Sequence, residues 1–230
     1  MHRFFKNGIL AIAVALFVGA AGTVEAHGQV LNTILDRMDQ HNKALTSLRS
    51  SVTMVKVNTQ LGGVTDTTEG KVLYLTQRNS DPYVRIDWVK PVESLAVAKG
   101  QYILYRPNLK QYVQGSTKTA KNKASAGGAL AFMNMSRADL RSNYTATYLG
   151  EATIKGGTNT WHIKLTPKTA TSYKWAEIWV DVNGMPLQTM VVEKNDDTTT
   201  VLLTNLEKNV KLDASAFKIT IAKDAKKVEA

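Results

Sequence analysis

The sequence predicts an α+β protein in which one helix leads a long antiparallel β-sheet, and three observations carry that reading. Apolar residues first recur with helical period, at Leu31, Ile34, Leu35, Met38, Leu45 and Leu48 between Val30 and Leu48. From Val52 the period changes to two, in segments rich in Val, Thr and Tyr, which is the pattern of half-buried strands. Turn residues separate those segments at short intervals, a spacing that suits a meander.

Ahead of the helix, the opening MHRFFKNGILAIAVALFVGAAGTVEA has Arg3 and Lys6, an apolar run from Ile9 to Ala21, and small residues ending in Val24-Glu25-Ala26. These are the three regions of a secretory signal, and the run is shorter than the ~20 apolar residues of a membrane-spanning helix. The expected organisation is a cleaved signal over 1–26 and a single domain over 27–230, working outside the cytoplasm. The chain has no cysteine, which excludes a disulfide framework, a thiolate metal site and lipid attachment at a processed N-terminal Cys. The formal net charge is +10; removing the signal takes away Arg3, Lys6 and Glu25 and lowers it by one. Export argues against a nucleic-acid partner. Apart from Lys118, Lys121 and Lys123 and the tail Lys223, Lys226 and Lys227, the cations are scattered among Thr and Ser, as on a solvated surface.

After the helix, strands are expected at Val52–Gln60, Thr65–Gln77, Tyr83–Val89 and Leu95–Ala98. Turns fall at Gly62-Gly63, Asn79-Ser80-Asp81-Pro82, Lys90-Pro91, Lys99-Gly100 and Arg106-Pro107-Asn108. The alternation breaks between Gly115 and Ser142. A polar loop there is followed by an apolar patch containing Leu130, Phe132, Met133 and Met135, read as a short helix or two, and Ser136 with Asp139 forms a capping-box pattern. Strands resume at Tyr144–Glu151, Thr160–Leu165, Lys174–Asp181, Leu187–Lys194 and Thr198–Leu206, with Asn183-Gly184 the strongest hairpin signal. The total is ten or eleven strands, and no linker divides them.

The stretch DWVKPVESLAVAKGQYILYRPNLKQ, from Asp87 to Gln111, resembles the outer-membrane lipoprotein carrier family, LolA. The shared features are Trp88, Pro91, the small apolar strand Leu95–Ala98, Gly100, and Ile103 to Pro107. The closing region is similar too, through Asn183-Gly184, a Thr-rich strand, Asn205, Asn209 and Phe217, as are the leading helix and Gly70. RseB-type stress sensors share the general pattern. The resemblance implies an open, strongly curved antiparallel half-barrel of about 11 strands, wrapped around a few helices that cover an apolar cavity for acyl chains. It implies lipoprotein or lipid cargo received from an inner-membrane ABC transporter and delivered to an outer-membrane receptor, with only transient membrane contact. The sequence departs from the family's Arg-Pro pair after the Gly70 strand: Arg78 is the nearest match and is separated from Pro82.

Such a carrier needs apolar area rather than a nucleophile, since each buried CH₂ of an acyl chain contributes ~0.8 kcal/mol. The candidate lining residues are Ile86 and Trp88, Leu104, Ile178 and Val180, and Met190 and Val192, with Phe132, Met133 and Met135 as a movable plug. The same alternating residues would also serve an ordinary closed core. Arg78 and Arg85 are placed to hold a head group or a cargo carboxylate. Trp175 and Trp179 flank Glu177 at a parity opposite to Ile178 and Val180, and so either face outwards or cover the helix. His27, His41 and His162 have no carboxylate or second His at ligand spacing, and Asn195-Asp196-Asp197 lacks the spaced acids of a calcium loop, so no metal is expected. No nucleophile elbow or phosphate loop occurs. The reading is a periplasmic carrier without cofactor or catalytic activity, with a lipid-sensing module of the same fold as the alternative.

Overall fold

Strands that are apolar on one side and polar on the other bury their apolar faces only by pairing edge to edge beneath a cover. The computed structural model of the protein describes residues 22–78, 80–117 and 135–229. Helix α1 (Gly22–Ala44) leads into β1 (Ser47–Asn58), β2 (Val64–Gln77), β3 (Ser80–Trp88), β4 (Glu93–Ala98), β5 (Gln101–Arg106) and β6 (Gln111–Ser116). Helix α2 (Arg137–Asn143) precedes β7 (Tyr144–Thr153), β8 (Asn159–Pro167), β9 (Tyr173–Val180), β10 (Pro186–Glu193), β11 (Thr198–Lys208) and the two-residue β12 (Lys226–Lys227).

All twelve strands belong to one sheet, ordered β12-β6-β5-β4-β3-β2-β1-β11-β10-β9-β8-β7. Every pairing is antiparallel except that of β12, which joins β6 in parallel. β7 and β12 lie at opposite edges, so the curved sheet stays open, as expected of a half-barrel. Irregular register at Arg49/Ser51, Tyr148/Gly150 and Pro186/Gln188 bends it further.

Helix α1 differs from the expected span at both ends. It begins at Gly22 and runs past Ala26 without a break, and it stops at Ala44 instead of Leu48. Asn209 ends it: its Oδ1 accepts the Thr46 N–H at 2.8 Å while its Nδ2 donates to the Ala44 carbonyl at 3.3 Å. Leu45 and Leu48 are buried all the same, from the link and from β1. The Ser136 cap is present as expected, with its hydroxyl accepting the Asp139 N–H at 3.1 Å.

Ile34, Leu35, Met38 and Leu140 of the helices share a core with Val52, Val72, Ile86, Ile163, Ile178, Val180 and Val201, which defines the inner face of the sheet. Outside, the chain after β11 straps over β3 to β5. Phe217 meets Tyr83 edge to face at 5.8 Å, and Arg85 donates to the carbonyls of Ala216 and Lys218 at 2.9 Å. Arg85 also pairs with Asp87 at 2.9 Å, so it is committed to this strap rather than to a head group.

Candidate ligand-binding face

The inner face divides into two halves. Between β7 and β1, the helices cover it: α1 packs against β7 and α2, and the inward Ile163, Ile178, Val180 and Val201 are fully buried. The hairpin between β9 and β10 docks on α1 at the same place. Gly184, at φ +85°, lies against the backbone of Arg37 and Met38, while Arg37 donates to the Val182 carbonyl at 2.7 Å and its guanidinium sits 5.1 Å from the Trp161 ring centroid.

From β2 to β6, register assembles a second apolar surface. One row is Val72, Ile86, Leu95, Leu104 and Val113; the next is Tyr74, Val84, Val97, Tyr102 and Gly115. Five strands at ~4.8 Å spacing make the surface roughly 19 Å wide. Ile86 and Val113 are buried, whereas Tyr74, Val84, Leu95, Val97, Tyr102 and Leu104 are only half-buried among the described residues. The Tyr102 ring lies over Gly115, where a Cβ would come within 2.8 Å of it, and Trp88 covers Gly70 in the same way at 3.0 Å. Above these rows Arg106 donates to Glu93 at 2.9 Å and closes the rim with a half-buried ion pair. A recess further along the rim is lined by Lys56, Asn58, Asp66, Glu193 and Asp197 together with Val57 and Val64.

On the outer face of β8 and β9, a polar–aromatic ladder forms. Glu177 accepts from the Trp175 indole at 2.9 Å and lies 2.7 Å from His162 Nε2. His162 stacks on Trp179 at 4.2 Å, and Lys164 sits 4.1 Å over the Trp175 ring. His162 therefore has a carboxylate partner that sequence spacing did not show, and the two Trp residues face away from the helices. No group of three or more metal-ligating residues occurs among the described residues. His41, on α1, has its Nε2 buried without a partner, and burial, aided by Lys208, holds its pKa below the usual histidine value.

The expected lining residues separate accordingly. Leu104 lies half-buried on the β2–β6 surface, Ile86 and Trp88 are buried within it, and Ile178 and Val180 lie under the helices. Met190 and Val192 require correction: they pair with Glu177 and Trp175, on the outer face, while Thr189 and Val191 point inwards. Met135 is half-buried against the core, and its carbonyl accepts Asn42 Nδ2 at 2.8 Å. Phe132 and Met133 lie outside the described residues. Arg78 is exposed in the turn after β2, at the end of the sheet nearest the Tyr74 row. Val84, Leu95, Val97 and Tyr102 were missing from the expected lining set, and cross-strand register is the signal that finds them.

Among the described residues, an open, strongly curved β-sheet with helices over part of its inner face and half-buried apolar residues on the rest has the architecture of a half-barrel. The sequence pattern of the family described as "Outer membrane lipoprotein carrier protein LolA" matches residues 56–220, and the chain belongs to that family. A comparison with the curated proteins finds no match. Among solved structures, an uncharacterized conserved protein from Thermus thermophilus is similar at TM-score 0.56 and 14% identity, over 88% of this chain and 100% of that one. MucB is similar at TM-score 0.51 and 12% identity, over 84% of this chain and 63% of its own. A LolA superfamily protein from Nitrosomonas europaea aligns at TM-score 0.41 and 14% identity, over 82% and 97% of the two chains.

Proposed function

We propose that the protein is an exported periplasmic carrier, released from a signal at residues 1–26 as one domain over 27–230. It binds acyl chains of lipoproteins or other lipids and moves them from the inner to the outer membrane. The observation that supports this reading is the two-row apolar surface on β2 to β6, half-buried and, among the described residues, not covered by α1 and α2 as the other half of the face is. In a chain that belongs to the lipoprotein carrier family, such a surface is suited to be covered by cargo. Leu104, joined by Val84, Leu95, Val97 and Tyr102, forms the accessible contact area, and Ile86 and Trp88, buried among them, form its floor. At ~0.8 kcal/mol per CH₂, one acyl chain laid across these strands gains enough to be held, yet a receptor with a deeper site can remove it. Arg78, in the turn that closes the β2–β3 hairpin, meets the partner that loads the cargo, an inner-membrane ABC transporter; an outer-membrane receptor takes it off. None of these steps requires a catalytic group or a cofactor.

The test is uptake of a fluorescent triacylated lipopeptide by the purified protein. Leu104→Asp should abolish uptake, with Leu149→Asp, on an exposed outward position of β7, as control. Equal uptake by both variants would remove the β2–β6 surface from the site. Ile178→Asp does not serve, because Ile178 is 0% exposed beneath the helices and its loss would unfold the core.

A further inference from the structure

Antiparallel order places the β1–β2, β3–β4 and β5–β6 turns at one end of the sheet, since β1, β3 and β5 all run towards it. The β3–β4 and β5–β6 tips are level and about 10 Å apart, whereas β2 continues past Gly70, the partner of Trp88, to Val64, so that the β1–β2 tip reaches ~20 Å further. Among the described residues eight large apolar side chains are exposed, and three of them sit on the two level tips: Val89 (69%), Val92 (45%) and Leu109 (61%). Single exposed apolar residues need no explanation, but three collected on adjacent tips do. The turns themselves do not need them. The β3–β4 connection is Val89-Lys90-Pro91-Val92, where turn chemistry favours Asn, Asp, Ser or Gly around the proline.

The charge beside these two tips is positive on balance. Lys90 and Lys110 are exposed on them, and β12 brings Lys226 and Lys227 to the edge of β6 at the same end. Of the nearby acids, Glu93 is paired with Arg106 and Asp224 with Lys110, and Glu69, whose carbonyl accepts the Val89 N–H, is exposed beside the β3–β4 tip. These projecting tips are aliphatic and flanked by lysines, whereas the anchors of a protein interface are mostly aromatic residues and arginine. They match a bilayer surface, where side chains of this kind enter the headgroup region.

We propose that this end of the sheet is a docking surface for anionic phospholipid bilayers. Val89, Val92 and Leu109 enter the interface, and Lys90, Lys226 and Lys227 meet the lipid phosphates together with Lys110, which exchanges its Asp224 partner for them. Docking is shallow and reversible, and it sets the rim of the apolar inner face against the membrane.

Co-sedimentation of the exported protein with phosphatidylglycerol/phosphatidylethanolamine vesicles tests this, with phosphatidylcholine vesicles as reference. Binding should favour the anionic vesicles and weaken with salt. Lys90→Glu with Lys110→Glu should lower the partition coefficient by roughly fivefold or more for each site, and Val89→Ser/Val92→Ser/Leu109→Ser should abolish binding. All of these side chains are exposed, so an unchanged melting curve separates lost docking from lost fold. Lipopeptide uptake in vesicle-free solution should be normal in the triple variant; failure of uptake with intact docking would strike the carrier reading alone. Equal binding of wild type and triple variant, absence of binding to either vesicle, or a wild-type dimer in sedimentation velocity that the triple variant loses would each overturn the membrane assignment.

Discussion

Gly184, in the turn between β9 and β10, is pressed against the carbonyl of Arg37 in α1, so closely that the hairpin and the helix touch backbone to backbone. A Cβ at this position would lie 2.7 Å from the Met38 nitrogen and nearer still to that carbonyl, and φ is already +85°. The contact locks the helix over the buried half of the inner face and fixes where cover ends and the open surface begins.

Gly184→Ala should therefore cost about 2–4 kcal/mol, the sum of a left-handed backbone penalty and a collision with atoms that cannot turn away. Urea denaturation measures it. A loss no larger than that of an exposed loop substitution would show that α1 is not held by this turn.

The pH dependence of stability has a definite sign at His41. Its folded pKa lies below the ordinary histidine value of 6.5 because burial disfavours the charged form, with Lys208 adding to the effect. Below about 6.5 the unfolded chain takes up a proton that the folded one resists, so stability is complete above that pH and declines as pH falls towards the folded pKa. His41→Gln should flatten the decline in thermal melts between neutral and mildly acidic pH. An unchanged slope would assign the decline to other groups.

Glu177 holds the outer ladder together by accepting from Trp175 and contacting His162. Glu177→Ala should cost about 1–3 kcal/mol, because a half-buried indole N–H and an imidazole lose their shared partner, and it should change the intrinsic tryptophan fluorescence. Lipopeptide uptake should stay normal, since the ladder faces away from the apolar surface.

Much of the fold was legible in the chain because the physical signals are local. Alternation marked the strands, Asn183-Gly184 the hairpin, and Ser136 with Asp139 the cap of α2. The end of α1 was not legible. Leu45 and Leu48 continue a helical period by coincidence, while the residue that stops the helix, Asn209, is contributed from just beyond the end of β11. Alternation also says which residues of one strand share a face without saying which face is inside. On β10 both faces are apolar, with Leu187 and Val191 inwards and Met190 and Val192 outwards, so only register against β9 separates them. The His162–Glu177 pair was hidden for the same reason, because fifteen residues part them in sequence and one strand spacing joins them in space.

Native mass spectrometry of the protein purified from its own envelope, followed by extraction of whatever is bound, tests the central proposal most directly. The account predicts acylated protein or lipid released on unfolding, and its loss from the Leu104→Asp variant. A wild-type protein that is empty and also refuses a triacylated lipopeptide would contradict it and mark the β2–β6 surface as an ordinary part of the core.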